Sequence, residues 1–296
     1  MNYHELGKSK IRVSGIALGC MSLGTDHEAN HQLIHRAIEK GINFFDTADL
    51  YGKGENEITV GKALAAVRHQ VVIATKVGNQ LKADGSGWEW NPTKKYILEA
   101  VEKSLQRLQT DYIDLYQLHG GTIEDPIDEV IEAFEWLKQQ GKIRIYGISS
   151  IRPNVIREYV KRSNIDSVMM QYSLLDRRPE ESCLGLLAEN KTSVLVRGSL
   201  AQGLLIDKPA APYLGHSQEQ VKSITDKVHA LTNRQASEIA IRFASSPSAV
   251  ASVVVGVRNT DQLETLSEVI KGQPLREAEL NTLKSVAPPL FYKQHR

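Results

Sequence analysis

Cysteine is nearly absent from this chain. Cys20 and Cys183 are the only two in 296 residues, and no CxxC pair occurs. That excludes a disulfide framework and a cysteine zinc site as organising devices. Long apolar runs are also missing: VASVVVGV at 250–257 is among the longest, far short of the ~20 residues that cross a bilayer. Charge of one sign is not in excess. Acids and bases are interspersed and nearly balance, at a net charge of +1, so the chain offers no broad footprint for nucleic acid or for a membrane surface. The first residues, MNYHELGKSKIRVSG, contain no apolar signal core, and a cytoplasmic protein is the expectation. No GxGxxG, Walker loop, nucleophile elbow or metal-ligand cluster is found, which disfavours a Rossmann nucleotide site and metal-dependent chemistry. Cys20, one of a few small residues beside a turn, reads more simply as structural than as a reactive thiol.

What is present is an alternation. Short runs rich in β-branched or aromatic residues are separated by longer stretches of helical period. The runs are GIALGC (15–20), INFFDT (42–47), VVIATK (71–76), DYIDLYQLH (111–119), KIRIYGIS (142–149), SVMMQYS (167–173), SVLVRGS (193–199) and SVVVGV (252–257). Helices are expected near 28–40, 56–67, 93–107, 127–140, 153–162, 178–190, 234–245 and 260–271. In the fourth, Ile127, Val130, Ile131, Phe134 and Leu137 share one face, with Asp125 expected as its cap, Pro126 in its first turn and Gly141 at its end. Strands joined by helices pair in parallel, and eight such units point to an α/β fold, a closed (β/α)8 TIM barrel. No linker-like segment divides the chain, so a single domain over 1–296 is expected. YHEL (3–6) and IRVS (11–14) read as an N-terminal β-hairpin covering one end of the barrel. Residues 200–233 form a long connection after the seventh strand.

Active sites of such barrels lie at the carboxyl ends of the strands. Asp46, Lys76 and His119 occupy those ends on three successive units, and Tyr51 follows in a Gly-rich loop. Each has an ordinary reading alone: a turn cap, a snorkelling lysine, a satisfied histidine, a packed tyrosine. The fold makes all four converge. A phenol is a weak acid, with a pKa near ~10. A neighbouring ammonium stabilises the phenolate, and a carboxylate keeps that ammonium charged. His119 is placed to position a reacting oxygen or to assist proton transfer. The set suits proton donation to a carbonyl oxygen while hydride reaches the carbon.

DTADLYG, ATK, YQLH, GIS, MMQYS, SLAQGLL and VVVGVRNTDQL, in this order, resemble the aldo-keto reductase superfamily over essentially the whole chain, and its bacterial oxidoreductases in particular. The resemblance implies a catalytic tetrad of Asp46, Tyr51, Lys76 and His119, with Tyr51 as general acid and NADPH as the usual cofactor, NADH remaining open. It further implies that Ser149 and Gln171 hold the carboxamide, with Ser150 replacing a common Asn. Ser199, Leu200, Gln202 and Gly203 match the pyrophosphate loop. Gly256, Arg258 and Gln262 match the adenosine end, and Gly19, Cys20, Met21, Asp46 and Gly198 complete the cofactor set. A helix N-terminus favours a phosphate, and a guanidinium suits a 2′-phosphate; an ordinary surface arginine is the plainer reading of Arg258.

Three departures from the family pattern stand out. Arg197 stands where a stacking Tyr is common. Gly120 and Gly121 follow His119, where a bulky aromatic is common, so the pocket is open there or refilled by Trp88 or Trp90 from the polar loop at 79–91. Thr265 and Leu266 replace a Glu-Asn pair. The expected activity is reduction of a small carbonyl substrate, with no nucleic-acid or membrane partner. Two rivals stand beside it: an NADPH-binding sensor or regulatory subunit with slow turnover, and a Schiff-base lyase or isomerase using Lys76.

Overall fold

The computed structural model describes residues 1–230 and 234–296. Eight parallel strands close a barrel: β1 (Ile16–Gly19), β2 (Phe44–Asp46), β3 (Val72–Val77), β4 (Ile113–Leu118), β5 (Ile143–Ser149), β6 (Ser167–Gln171), β7 (Ser193–Arg197) and β8 (Val250–Gly256). Every expected run became a strand, with its ends shifted by no more than two residues. β8 closes on β1, pairing Val253 with Ile16 and Gly256 with Gly19.

Strand alternation divides the core. Ala17, Phe44, Val72, Ala74, Leu115, Ile145, Met169, Leu195 and Ala251 form the barrel interior, joined by Leu6, Ile11 and Val13. The last three flank or belong to the N-terminal hairpin, which pairs Tyr3–Glu5 with Arg12–Ser14. The hairpin is therefore a plug for the amino end, as expected, and its exposed strand Tyr3–Glu5 is carried by the buried residues around it. The intervening strand residues, such as Leu18, Phe45, Ile73 and Tyr116, pack outward on the helices in a second, larger cluster. This two-layer division is what a period of two imposes on strands buried on both faces.

Some helices start on a capping side chain. Asp26 accepts from the Glu28 and Ala29 amides at the start of His27–Glu39, Thr93 caps Lys94–Leu108, and Asn259 caps Thr260–Lys271. The helix Ile127–Gln139 differs from expectation, because Asp125 does not cap it. Pro126 occupies the cap position, and the Asp125 carboxylate instead accepts from the Thr122 amide, the Thr122 hydroxyl and Trp90 Nε1. The neighbouring Thr122 and a distant indole together take the oxygens that the sequence assigned to the helix. The stretch 178–190 is a short 3₁₀ turn followed by the helix Cys183–Glu189.

Other irregular stretches proved more ordered than the sequence suggested. Residues 79–91 form a small hairpin, Asn79–Leu81 against Trp88–Trp90. The long connection after β7 carries the helix Gln218–Ala230, and Glu277–Val286 forms a further helix beyond the last one expected. The end of that long connection, 231–233, lies outside the described residues.

Gly61, in the helix Glu55–Leu64, marks a close approach to the end of the helix Lys94–Leu108. A β-carbon there would lie 2.5 Å from the Leu108 carbonyl carbon and 2.6 Å from the Arg107 oxygen. On an open helix Gly→Ala stabilises by about 0.8–1.0 kcal/mol. Here the clash with backbone reverses the sign. Gly61→Ala should destabilise the protein by about 1–3 kcal/mol, read as a lowered denaturation midpoint at unchanged slope; a stabilised variant would overturn the packing argument.

Candidate active site

The inward-facing positions continue upward from the apolar interior and change character at the mouth. Two residues beyond Phe44 stands Asp46, beyond Ala74 Lys76, beyond Leu115 Gln117, beyond Met169 Gln171, and beyond Leu195 Arg197. The ladders then hand over to the loops. The Thr47 amide donates to the Ala74 carbonyl, the Asp49 amide to that of Lys76, and the His119 amide to that of Val77. Backbone pairing thus fixes where each side chain leaves the barrel.

Asp46, Tyr51, Lys76 and His119 meet in one cavity of about 880 Å³ at this end. Lys76 Nζ donates to Asp46 Oδ2 at 2.8 Å and to the Thr47 carbonyl at 2.6 Å. It lies 3.5 Å from the Tyr51 hydroxyl. The Tyr51 and His119 rings meet edge to face, with centroids 5.9 Å apart. Lys76 is 1% exposed and Asp46 4%, so neither charge is screened by bulk water and each depends on the other.

The electrostatics follow from that burial. Desolvation alone would lower Lys76, but Asp46 and Tyr51 outweigh it and hold the ammonium above its usual range. Burial raises the Asp46 carboxyl, against the pull of Lys76 and the adjacent Gln117. With Nζ bonded to two oxygens, the pair is an ion pair. Tyr51 departs from the expectation of a lowered pKa. Burial raises it, Asp46 adds to the rise, and Lys76 and Arg197 only partly oppose them. The phenol therefore stays protonated at neutral pH. Burial, with Lys76 and Arg197, lowers His119 to about 3. The imidazole is neutral, which favours a positioning hydrogen bond over delivery of a proton.

The same cavity is lined by Gly19, Met21, Ser149, Arg197, Gly198 and Gly256 from the expected cofactor set. Gln171 lies beside it, accepting from Arg197 Nη1 at 3.2 Å and donating to the Tyr213 hydroxyl at 2.9 Å. Ser199 and Leu200 lie just beyond β7, and Gln202 and Gly203 on the 3₁₀ turn Ala201–Gly203 that follows. Arg258 and Gln262 stand exposed at the start of the helix Thr260–Lys271, the Arg258 amide donating to Gln262 Oε1. Cys20 is buried, with its thiol pushed up by desolvation first and by Asp46 next. That supports its structural reading. Thr265 is exposed on the same helix while Leu266 is buried in its packing face.

A nicotinamide nucleotide fits these residues. Asp46 Oδ1 and His119 Nδ1 are buried polar atoms with no hydrogen-bond partner among the described residues, and the cavity has the size of a small-molecule site. Sequence reasoning missed Gln117, fully buried beside Asp46 with both amide atoms likewise unpartnered. Its spacing of two from Leu115 on an inward-facing strand was the signal available. It also left the substrate side undefined. Trp88 and Trp90 both line the cavity, and a β-carbon at Gly120 would lie 3.5 Å from the Trp90 ring. Trp90 thus occupies the side that the two glycines leave open.

A parallel eight-stranded barrel with this cluster at its mouth defines a class, and residues 15–288 match the model of the aldo/keto reductase family. The chain belongs to that family, whose members are NAD(P)H-dependent oxidoreductases. It is 49% identical over 306 residues to a Bacillus subtilis protein described as uncharacterized oxidoreductase YqkF, covering 100% of both chains. Aldo-keto reductase AKR11C1 from Bacillus halodurans is similar in structure. Its holo form superposes with a TM-score of 0.97 at 49% identity, its apo form with 0.88 at 46%, each covering 100% of this chain and 99% of that one. An Escherichia coli protein named NADH-specific methylglyoxal reductase is 36% identical over 220 residues, 68% of either chain.

The neutral His119 carries a pH signature. The folded protein keeps the ring unprotonated down to about 3, whereas the unfolded chain binds a proton near ~6.5. Between those values the unfolded state holds the extra proton, so this contribution is intact above about pH 6.5 and is lost progressively below it. The stability of wild type relative to His119→Gln should be constant above about pH 7 and fall by up to about 1.4 kcal/mol per pH unit below about pH 6. Denaturant melts of both proteins at several pH values check this, and a flat difference would contradict it.

Proposed function

We propose that this protein reduces aldehydes or ketones to alcohols with NADPH, Tyr51 acting as general acid. The observation that carries the reading is the bridging ammonium of Lys76, bonded to Asp46 and 3.5 Å from the Tyr51 hydroxyl in the same cavity as His119. When bound, the reduced nicotinamide supplies a hydride to the carbonyl carbon. The carbonyl oxygen takes its proton from the Tyr51 hydroxyl. Lys76 stabilises the phenolate left behind, and Asp46 keeps Lys76 charged and aimed. Neutral His119 donates a hydrogen bond that orients the carbonyl. Burial keeps Tyr51 protonated until the substrate arrives, which suits the reductive direction.

Ser149, Gln171, Arg197 and Gly198 are assigned to the nicotinamide half, Ser199, Leu200, Gln202 and Gly203 to the pyrophosphate, and Gly256, Arg258 and Gln262 to the adenosine half. Gly19 and Met21 line the same cavity, while buried Cys20 packs behind them. The chain superposes more closely on the holo than on the apo form of its Bacillus halodurans relative. Arg258, exposed at a helix amino end, favours NADPH through its 2′-phosphate. The NADH-specific relative makes NADH the necessary comparison.

Tyr51→Phe should lower kcat by about 10²- to 10⁴-fold while leaving NADPH affinity nearly intact. A panel of aldehydes and ketones followed by NADPH absorbance tests both the reaction and the variant; wild-type rates from Tyr51→Phe would remove that residue from its role. Arg258→Ala should weaken NADPH at least about 10-fold more than NADH. Equal losses for the two nucleotides would return Arg258 to an ordinary surface position.

A further inference from the structure

Three cations line the cavity: Lys76, Arg152 and Arg197. Among the described residues Asp46 is the only acid on its wall, and it is matched by Lys76. Arg197 is bonded to Gln171, within the group assigned above to the cofactor. Arg152 is left over. It follows β5 and reaches the loop after β4, donating through Nη1 to the Gly121 carbonyl. It therefore sits on the side that holds Trp90, Gly120, Gly121 and Thr122, beside His119.

Nothing local explains a charge there. Arg152 is the cap residue of the helix Pro153–Arg162 and makes no side-chain cap. Ser, Thr, Asp and Asn are preferred at that position, and the positive end of a helix dipole disfavours a cation. Among the described residues Arg152 forms no ion pair. The Asp125 carboxylate is already engaged by Thr122 and Trp90. Glu124 is exposed; its carboxyl is lowered first by its own backbone amide and Thr122, and only less by Arg152. Holding one carbonyl uses one of five guanidinium N–H groups. An uncompensated cation beside the open part of the cavity has the geometry of a recognition group.

We propose that Arg152 binds a carboxylate on the substrate, so that the preferred substrates are oxo acids: aldehydes or ketones with a carboxylate some carbons from the reacting carbonyl. The carbonyl lies at Tyr51 and His119, the carboxylate meets the planar guanidinium fork, and the carbons between run past Trp88, Trp90 and Ile151. This rests on the carbonyl-reductase reading above and deepens it.

The test compares matched pairs, 4-carboxybenzaldehyde with benzaldehyde and succinic semialdehyde with butanal, by kcat/KM with saturating NADPH. Wild type should favour the carboxylate of each pair by about 10-fold or more, mainly through KM. In Arg152→Gln that ratio should collapse toward one, and Arg152→Lys should keep a smaller preference of the same sign. Succinate should inhibit butanal reduction competitively in wild type and lose that effect in Arg152→Gln. Reduction of the neutral aldehydes with no carboxylate preference would overturn this inference and leave the reductase reading standing. No turnover of any aldehyde would overturn both. Should Arg152→Gln fail to fold, the wild-type ratios and Arg152→Lys still decide.

Discussion

The site depends on one ion pair taken out of water. Lys76 and Asp46 face each other at 2.8 Å across adjacent strands, almost wholly enclosed. Burying either charge alone costs several kcal/mol, and the pair recovers that only with good geometry and further hydrogen bonds. The Thr47 carbonyl provides one of those bonds. Because a buried ammonium must be met by fixed oxygens, the barrel register holds it where the Tyr51 hydroxyl is within reach. The same enclosure raises Tyr51 and lowers His119. Four ionisable groups thus take settled states from one constraint: a charged lysine and aspartate, a protonated phenol and a neutral imidazole.

The barrel supplies that constraint by repetition. Each strand gives its lower inward positions to an apolar interior and its upper ones to the mouth. The N-terminal hairpin closes the opposite end with Leu6, Ile11 and Val13. Stability and chemistry are therefore separated along the strand axis by two residues. Phe44 belongs to the core and Asp46 to the site, on the same face of the same strand. Function can vary in the loops, as in the Trp88–Trp90 hairpin and Arg152, while the interior layer stays intact.

Legibility in the sequence followed the range of the interactions. Phe44–Asp46, Val72–Val77 and Ile113–Leu118 were readable because side-chain alternation and β-branching are local properties. Asp26, Thr93 and Asn259 cap their helices through bonds two or three residues away. Asp125 failed as a cap because its oxygens are taken by Thr122, three residues before it, and by Trp90, thirty-five residues distant in sequence. The hairpin at 79–81 and 88–90 was hidden for a related reason: its pairing brings Asn79 to Trp90 across a turn whose polar residues carry no strand pattern. Gln117 was passed over although its spacing was visible, because a buried amide has no signature of its own beside a lysine and a histidine.

By itself the sequence determined the eightfold alternation and the placement of Asp46, Lys76 and His119 at strand ends, with Tyr51 in the loop beyond, since these rest on periodicity and spacing; the family was legible from its motifs. Only the tertiary structure decided the states of those groups. The phenol rises where a neighbouring lysine alone would have lowered it, because desolvation depends on everything packed around a group. The charge left over on Arg152 likewise appears only when Asp125, Thr122 and Trp90 are seen to satisfy one another. Pairing between loops is a property of closure, and no single segment records it.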